Sequence, residues 1–325
     1  MYKSPNGESW YGLTYMGRNA FQRSKITSIV LPDSLKSMDQ NAFYKCEQLK
    51  TVTLGKGLTE IGQAAFYRTA ITSITFPDSL ESIGSRAFYD CRDLKTVTFG
   101  TGLTEIERLT FAYTGITSIT VPDSLLTIGT GAFDGSFKLH TINFGTGLKQ
   151  IGQFAFRQTN FTSIALPDSV QTIKSSAFGG CKQLRTVTFG KGLTKIEKYA
   201  FQSSGLTSIT WPDSVQTIEI GTFYFCSQLR IVTLGTNLTK IAKVAFSESG
   251  LTSIALPDSL ESIGSQAFNN CSSLENVTVL TGSDTVPPET IVDNEAFTGC
   301  NNLTFVTLPT TVTSIGFRAF LNATP

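Results

Sequence analysis

Histidine is almost missing from this chain: His140 is the sole one in 325 residues. That removes most schemes built on an imidazole base and most metal sites built on imidazole ligands. An excess of charge is missing too, since 26 Lys and Arg face 25 Asp and Glu, for a net charge of +1. A nucleic-acid binder or an anionic-membrane binder carries a basic excess, so neither is expected. Charged residues reach only 16%, below the usual quarter. No apolar run approaches the roughly eighteen residues of a membrane-spanning helix, and no membrane insertion is expected. The opening MYKSPNGESWYG holds no apolar stretch of the signal-peptide kind. Disorder is not expected either, because hydrophobic residues make up 40% and Phe alone numbers 24.

What the chain has in abundance is repetition. Pro-Asp-Ser recurs at Pro32, Pro77, Pro122, Pro167, Pro212 and Pro257, always 45 residues apart. A small residue followed by Phe marks a finer period, at Phe21, Phe43, Phe66, Phe88, Phe111, Phe133, Phe156, Phe178, Phe201, Phe223, Phe246, Phe268, Phe297 and Phe320. The steps alternate 22 and 23 up to Phe268, and the next step is 29. Two related units therefore alternate, one like AFYKCEQLKTVTLGKGLTEIGQA from Ala42 and one like AFYRTAITSITFPDSLESIGSR from Ala65.

Each unit reads as one coil of a solenoid. Leu49, Val52 and Leu54 point inward, and their last three residues alternate as a short strand does. Gly55-Lys-Gly57, or Pro77-Asp-Ser79 in the other unit, is turn chemistry that ends the strand. Leu58 and Ile61 turn inward again, and Ala65-Phe66 closes the coil on a short helical or 3-10 arc. No coil buries its own Phe, Leu and Val, so neighbours must stack, at roughly 4.8 Å. The expected fold is an α/β repeat solenoid with a parallel β-sheet on the concave face and short helical or 3-10 segments on the convex face. Residues 1–11 form an N-terminal flank or cap, and 12–325 a single solenoid of about fourteen coils with an insertion around 279–294. The insertion carries the seven residues by which 29 exceeds 22.

The pattern L-x-x-V-x-L-x-x-x-L-x-x-I-G-x-x-A-F resembles a leucine-rich repeat of the BspA-like subclass, found in bacterial and protist surface proteins. Leu49, Val52, Leu54, Leu58, Ile61, Ala65 and Phe66 fall on that subclass's repeat. The resemblance implies an adhesin or a host- or matrix-binding protein, secreted or held at the cell surface. Both ends stop in mid-repeat, Leu13–Phe21 giving half a coil and Ala319–Pro325 breaking off after its Phe. An excised piece of a longer chain is the expected reading. Leu308-Pro-Thr-Thr-Val312 mimics a sorting signal, but it aligns with Leu256-Pro-Asp-Ser-Leu260 and belongs to the repeat.

Chemistry is sought where residues recur. Cys46, Cys91, Cys181, Cys226 and Cys271 stand three residues after the repeat Phe, with Ser136 in the one vacancy. They are two or more coils apart, about 9.6 Å, too far for a disulfide. They lack the paired spacing of zinc ligands, and are expected as buried thiols serving a neighbouring backbone group. Cys271 and Cys300 occupy adjacent coils, but stacked parallel side chains are badly aimed for a bridge. The aspartates of Pro-Asp-Ser are too dispersed for calcium and suit turn formation and capping of the following arc. No metal and no cofactor is expected.

The outward strand positions form columns. Thr51, Ser73, Thr96, Ser118, Thr141, Ser163, Thr186 and Ser208 make one, and Thr53, Thr75, Thr98, Thr120, Asn143, Thr188, Thr210 and Thr233 the next. Lys50, Lys95, His140, Arg185 and Arg230 stand just before them in every second coil. Thr suits exposed strands and cations keep them soluble, which explains these columns without a ligand. As a binding surface they would offer a hydroxyl field bordered by a basic stripe to a protein or to an acidic or sulfated glycan. The residues that would carry it are Lys50, Thr51, Thr53, Lys95, Thr96, Thr98, His140, Arg185, Thr186, Thr188 and Arg230. The 279–294 insertion is a second candidate. Catalysis needs a singular constellation, and repeats place the same residue everywhere. A non-enzymatic binding or adhesion module is expected, with a structural, end-to-end self-associating protein as the alternative and ice binding a remote third.

Overall fold

Ser-Ile-Thr and Thr-Val-Thr triplets put a β-branched residue inward between two outward hydroxyls, and each forms a three-residue strand. In the computed structural model, which describes residues 12–280 and 289–323, Thr51–Thr53 pairs in parallel with Ser28–Val30, and Val52 is buried while Thr51 and Thr53 are exposed. The 1–11 flank and residues 281–288 of the 279–294 insertion lie outside the described residues. The chain divides into two compact units, Met1–Phe161 and Thr162–Pro325.

The first unit stacks coils along a column of rings. Phe21, Phe43, Phe66 and Phe88 follow one another at centroid spacings of 5.1 Å, and Phe111, Phe133 and Phe156 continue at 5.3, 5.5 and 5.4 Å. The planes are nearly parallel, and Leu, Ile and Val columns fill the rest of the core. Two ladders run outside it. The three-residue strands join only in twos: Ser28–Val30 with Thr51–Thr53, Ser73–Thr75 with Thr96–Thr98, and Ser118–Thr120 with Thr141–Asn143. Two-residue strands beyond the turn form longer sheets, as in Tyr15–Met16, Ser37–Met38, Glu60–Ile61 and Ser82–Ile83.

The second unit repeats the plan. Its ring column runs from Phe178 through Phe201, Phe223, Phe246, Phe268 and Phe297 to Phe320 at 4.9–5.9 Å. The 29-residue step does not disturb it, since Phe268 and Phe297 stack at 4.9 Å. Val277 and Val292 stand 15 residues apart where Val52 and Ile61 stand 9 apart, so the insertion adds six residues to a 23-residue coil rather than seven to a 22-residue one. It leaves from a lengthened strand, Asn276–Leu280, paired with Ser253–Pro257.

The helical arc is not there: among the described residues no helix of any kind occurs. Two residues in each arc, two before and two after the repeat Phe, take the left-handed conformation, as at Ala64 (φ 53) and Arg68 (φ 54). Alternation of right- and left-handed residues aims every second N–H along the stack. The N–H groups of Asn41, Phe43 and Lys45 donate to the carbonyls of Gln63, Ala65 and Tyr67 in the next coil, at 2.9, 2.7 and 2.7 Å. Between them Tyr44 and Cys46 close turns onto Asn41 and Phe43. The arc is thus a ladder built of turns.

The thiol column fits this ladder. The described cysteines form no disulfide and are buried, and the Cys46, Cys91, Cys226 and Cys271 thiols donate to the carbonyls of Phe21, Phe66, Phe201 and Phe246 at 2.8–3.1 Å. Ser136 does the same to Phe111 at 2.9 Å. Burial pushes Cys91 and Cys226 up to about 11 and Cys271 up to about 12.

The Pro-Asp-Ser turns clasp neighbours rather than capping their own arc. Asp33 Oδ1 accepts the Lys56 N–H of the following coil at 2.8 Å, and Ser34 Oγ donates to Leu13 O of the preceding one at 2.8 Å. The next coil's Gly-x-Gly turn sits so close that a Cβ on Gly55 would fall 2.0 Å from Pro32 O.

Two predictions follow from the packing. Phe111→Ala removes a ring stacked between Phe88 and Phe133, and chemical denaturation should show a loss of about 3–5 kcal/mol. The thiols stay protonated in the fold but ionise in the unfolded chain near the ordinary thiol value of 9.0. Their contribution is complete below that value and is lost as pH rises through the folded one, so stability should fall from about pH 9 to pH 11. The Cys91→Ser, Cys226→Ser, Cys271→Ser triple variant should show a shallower fall over that window; an identical slope would contradict the assignment.

Candidate functional site

All eleven residues singled out on the strands are exposed. In the first unit Thr51, Thr53, Thr96 and Thr98 lie on the side opposite the buried Val52 and Val97, and Lys50, Lys95 and His140 stand exposed just before their strands. Pairing places Thr51 beside Ser28, Thr96 beside Ser73 and Thr98 beside Thr75. In the second unit Arg185, Thr186, Thr188 and Arg230 are arranged likewise, with Thr186 beside Ser163. The hydroxyl field is broken at intervals: Thr53 pairs with Val30, Thr188 with Ala165 and Ser208 with Ile231, which is 61% exposed.

The basic column divides into two kinds. Its backbone N–H groups bond tightly to the preceding coil, Lys50 to Thr27 O and Arg185 to Thr162 O at 2.9 and 2.8 Å. Toward the following coil the strands do not pair, and a single longer backbone bond remains, Thr72 N–H to Lys50 O at 3.3 Å and Thr207 N–H to Arg185 O at 3.2 Å. Arg185 spans this looser step with its side chain: Nη1 donates to Lys182 O at 2.8 Å and to Gly205 O at 2.9 Å. Arg230 repeats it on Ser227 O and Gly250 O at 2.8 and 2.9 Å. The arrangement needs glycine, because a Cβ on Gly205 would fall 2.0 Å from the guanidinium. Sequence reasoning missed these staples, although Arg185 with Gly205 and Arg230 with Gly250 share one spacing of 20. His140 is held differently, its Nδ1 3.0 Å from Thr141 Oγ1.

Arg185 and Arg230 are therefore structural brackets, while Lys50, Lys95 and His140 border the first unit's strands with their side chains turned to solvent. Fixed donors, aligned hydroxyls and cations offer contacts to an extended partner. The remaining ion pairs lie elsewhere, as where Arg157 clamps Asp134 through two bonds of 2.8 and 2.7 Å. Among the described residues no group of three or more His, Cys, Asp or Glu is placed to hold a metal, and no helix is long and apolar enough to cross a membrane. Arg185→Ser removes two hydrogen bonds and should cost about 1 kcal/mol in denaturation. Lys50→Ser should leave the midpoint unchanged.

The same repeats are matched by the family model described as BspA type Leucine rich repeat region (6 copies), over residues 14–140, 104–213, 149–275 and 194–324. A comparison with curated proteins gives no match. Among solved structures the chain is similar to a leucine-rich repeat protein from Bacteroides ovatus, 26% identical, with a TM-score of 0.78 over 94% of this chain and 88% of that one. The pneumococcal vaccine antigen PcpA shares the fold at 23% identity and a TM-score of 0.59, over 94% of this chain and 85% of that one. So does a leucine-rich repeat protein from Eubacterium ventriosum, at 19% identity and 0.52, over 96% and 81%. With nearly its whole length matched in overlapping blocks, the chain belongs to the BspA-type leucine-rich repeat family.

Proposed function

We propose that this chain is a non-enzymatic binding module of a cell-surface or secreted protein, which holds a protein or an acidic glycan against its exposed strand face. The observation that carries this reading is the alternation of buried Val or Ile with solvent-facing Thr and Ser in successive strands, edged in the first unit by Lys50, Lys95 and His140. Solenoids bind by adding small contacts coil by coil, and leucine-rich repeat proteins generally bind proteins. A surface location is supported by the family and by the pneumococcal vaccine antigen of the same fold.

The test is binding to matrix proteins and heparin by surface plasmon resonance at about 50 and 300 mM salt, a range that brackets strong and weak screening. A Lys50→Ser, Lys95→Ser double variant should lose several-fold affinity at the lower salt and less at the higher one. Arg185 and Arg230 are left in place because they hold coils together. Undiminished binding by the double variant would remove the first unit's strand face from the reading.

A further inference from the structure

The two coil classes differ by one residue, and that residue lies in the turn leaving the arc. Cys46-Glu-Gln-Leu49 bridges two inward positions where Thr69-Ala-Ile71 does so with one residue fewer. Long and short turns therefore alternate, and each short turn forms the floor of a notch between its longer neighbours. In the second unit the notches over Gly205 and Gly250 are closed by the guanidinium groups of Arg185 and Arg230. In the first unit the same column holds Lys50, Lys95 and His140, and the notch over the buried Gly115 stays open. It is a cavity of about 460 Å³ lined by Arg92, Tyr113, Gly115, Gly135, Phe137 and Lys138, among others.

This notch is where the repeat columns change together. Tyr44, Tyr67 and Tyr89 stack as a ladder at 4.8 and 5.2 Å. The next tyrosine, Tyr113, has shifted one place to a left-handed position (φ 58) and meets Tyr89 edge-on, at 65°. Its ring lies over Gly135 (φ +66), where a Cβ would fall 2.5 Å from it. Asp134, clamped by Arg157, stands in the column held by Tyr44, Tyr67 and Tyr89, and Ser136 in the cysteine column. Phe137 is 61% exposed at the turn position held in other long turns by Glu47, Arg92, Lys182 and Ser227. No acidic side chain lines the cavity, and the nearby Asp90 carboxylate is taken by Arg68 and Arg92, both at 2.6 Å. Two aromatic rings, a glycine floor and the ammonium of Lys138 thus face one opening.

We propose that this notch is a binding site separate from the strand face, which takes an aromatic side chain lying next to a carboxylate in an extended segment of a protein partner. Tyr113 and Phe137 supply ring contacts, and Lys138, with Arg92 beside it, supplies the charge that the carboxylate complements.

The molecule supplies its own plug for the test. Arg185 reaches carbonyls three residues back and twenty residues on; at those offsets from Lys95 lie Arg92 and Gly115. Lys95→Arg should therefore close the notch without changing net charge, in an arrangement this chain already adopts twice. The probe is a nine-residue peptide with Tyr at its centre between two Glu, with matched peptides carrying Ala for Tyr or Lys for Glu, measured by isothermal titration. Binding to the native chain should be at least about 10-fold weaker, some 1.4 kcal/mol, for either control peptide. It should fall as far for Lys95→Arg and Phe137→Ser, with the denaturation midpoint lowered in neither, and stay unaltered in Lys50→Ser. Equal binding of the Ala peptide, full binding by Lys95→Arg, or no binding by the native chain would overturn the proposal. So would displacement by a heparin oligosaccharide that itself binds in the notch regardless of the Phe137 ring.

Discussion

Everything in this fold depends on coils being stacked at the width of a single backbone. The Phe rings, which sit on the arc side of the core, follow one another at 5.1 Å through the first coils. An α-helix with its side chains is about 10–12 Å across. A helix in each arc would force the stack open on that side and pull the rings out of contact. The chain keeps the narrow spacing, and the arc must then satisfy its N–H groups in the neighbouring coil instead of in its own turn. Left-handed residues two places to either side of each Phe make that exchange, at about 1 kcal/mol for each non-glycine residue so placed, and the coil-to-coil bonds offset it.

Much of this could be read before any coordinate. The Phe column, the inward Val and Ile, the buried thiols and the exposure of the threonines all follow from spacing and side-chain type. The helical arc was the error, and its cause is instructive. Ala64, Leu109, Phe154 and Val244 occupy left-handed positions that none of them prefers, so local propensity points the wrong way and tertiary stacking decides. The signal lay in the columns, because Gly131, Gly135, Gly180, Gly221 and Gly299, with Asn19, Asn41 and Asn270, fall at the same two places around the Phe. Read across the repeats, those residues report the backbone that the others conceal.

The site was less legible than the fold. Exposure on the strand face follows from alternation, but charge by itself did not separate Arg185 and Arg230 from Lys50 and Lys95. A guanidinium with a glycine twenty residues on marks a cation that staples two coils, since a Cβ there would meet it; Lys95 has Gly115 at that offset but no guanidinium to reach across. A periodic surface of this kind offers breadth without selectivity. Selectivity requires a place where the period breaks, and the coil around Tyr113, Gly135 and Phe137 breaks it in several columns at once.

The central claim, that the arc is held by bonds between coils and not within them, is most directly tested by through-hydrogen-bond scalar coupling in a deuterated, ¹⁵N,¹³C-labelled sample. The N–H of Phe66 should couple to the carbonyl of Ala87, its acceptor at 2.8 Å in the next coil. A coupling from Phe66 to Gly62, one helical turn back in the same coil, would contradict the account.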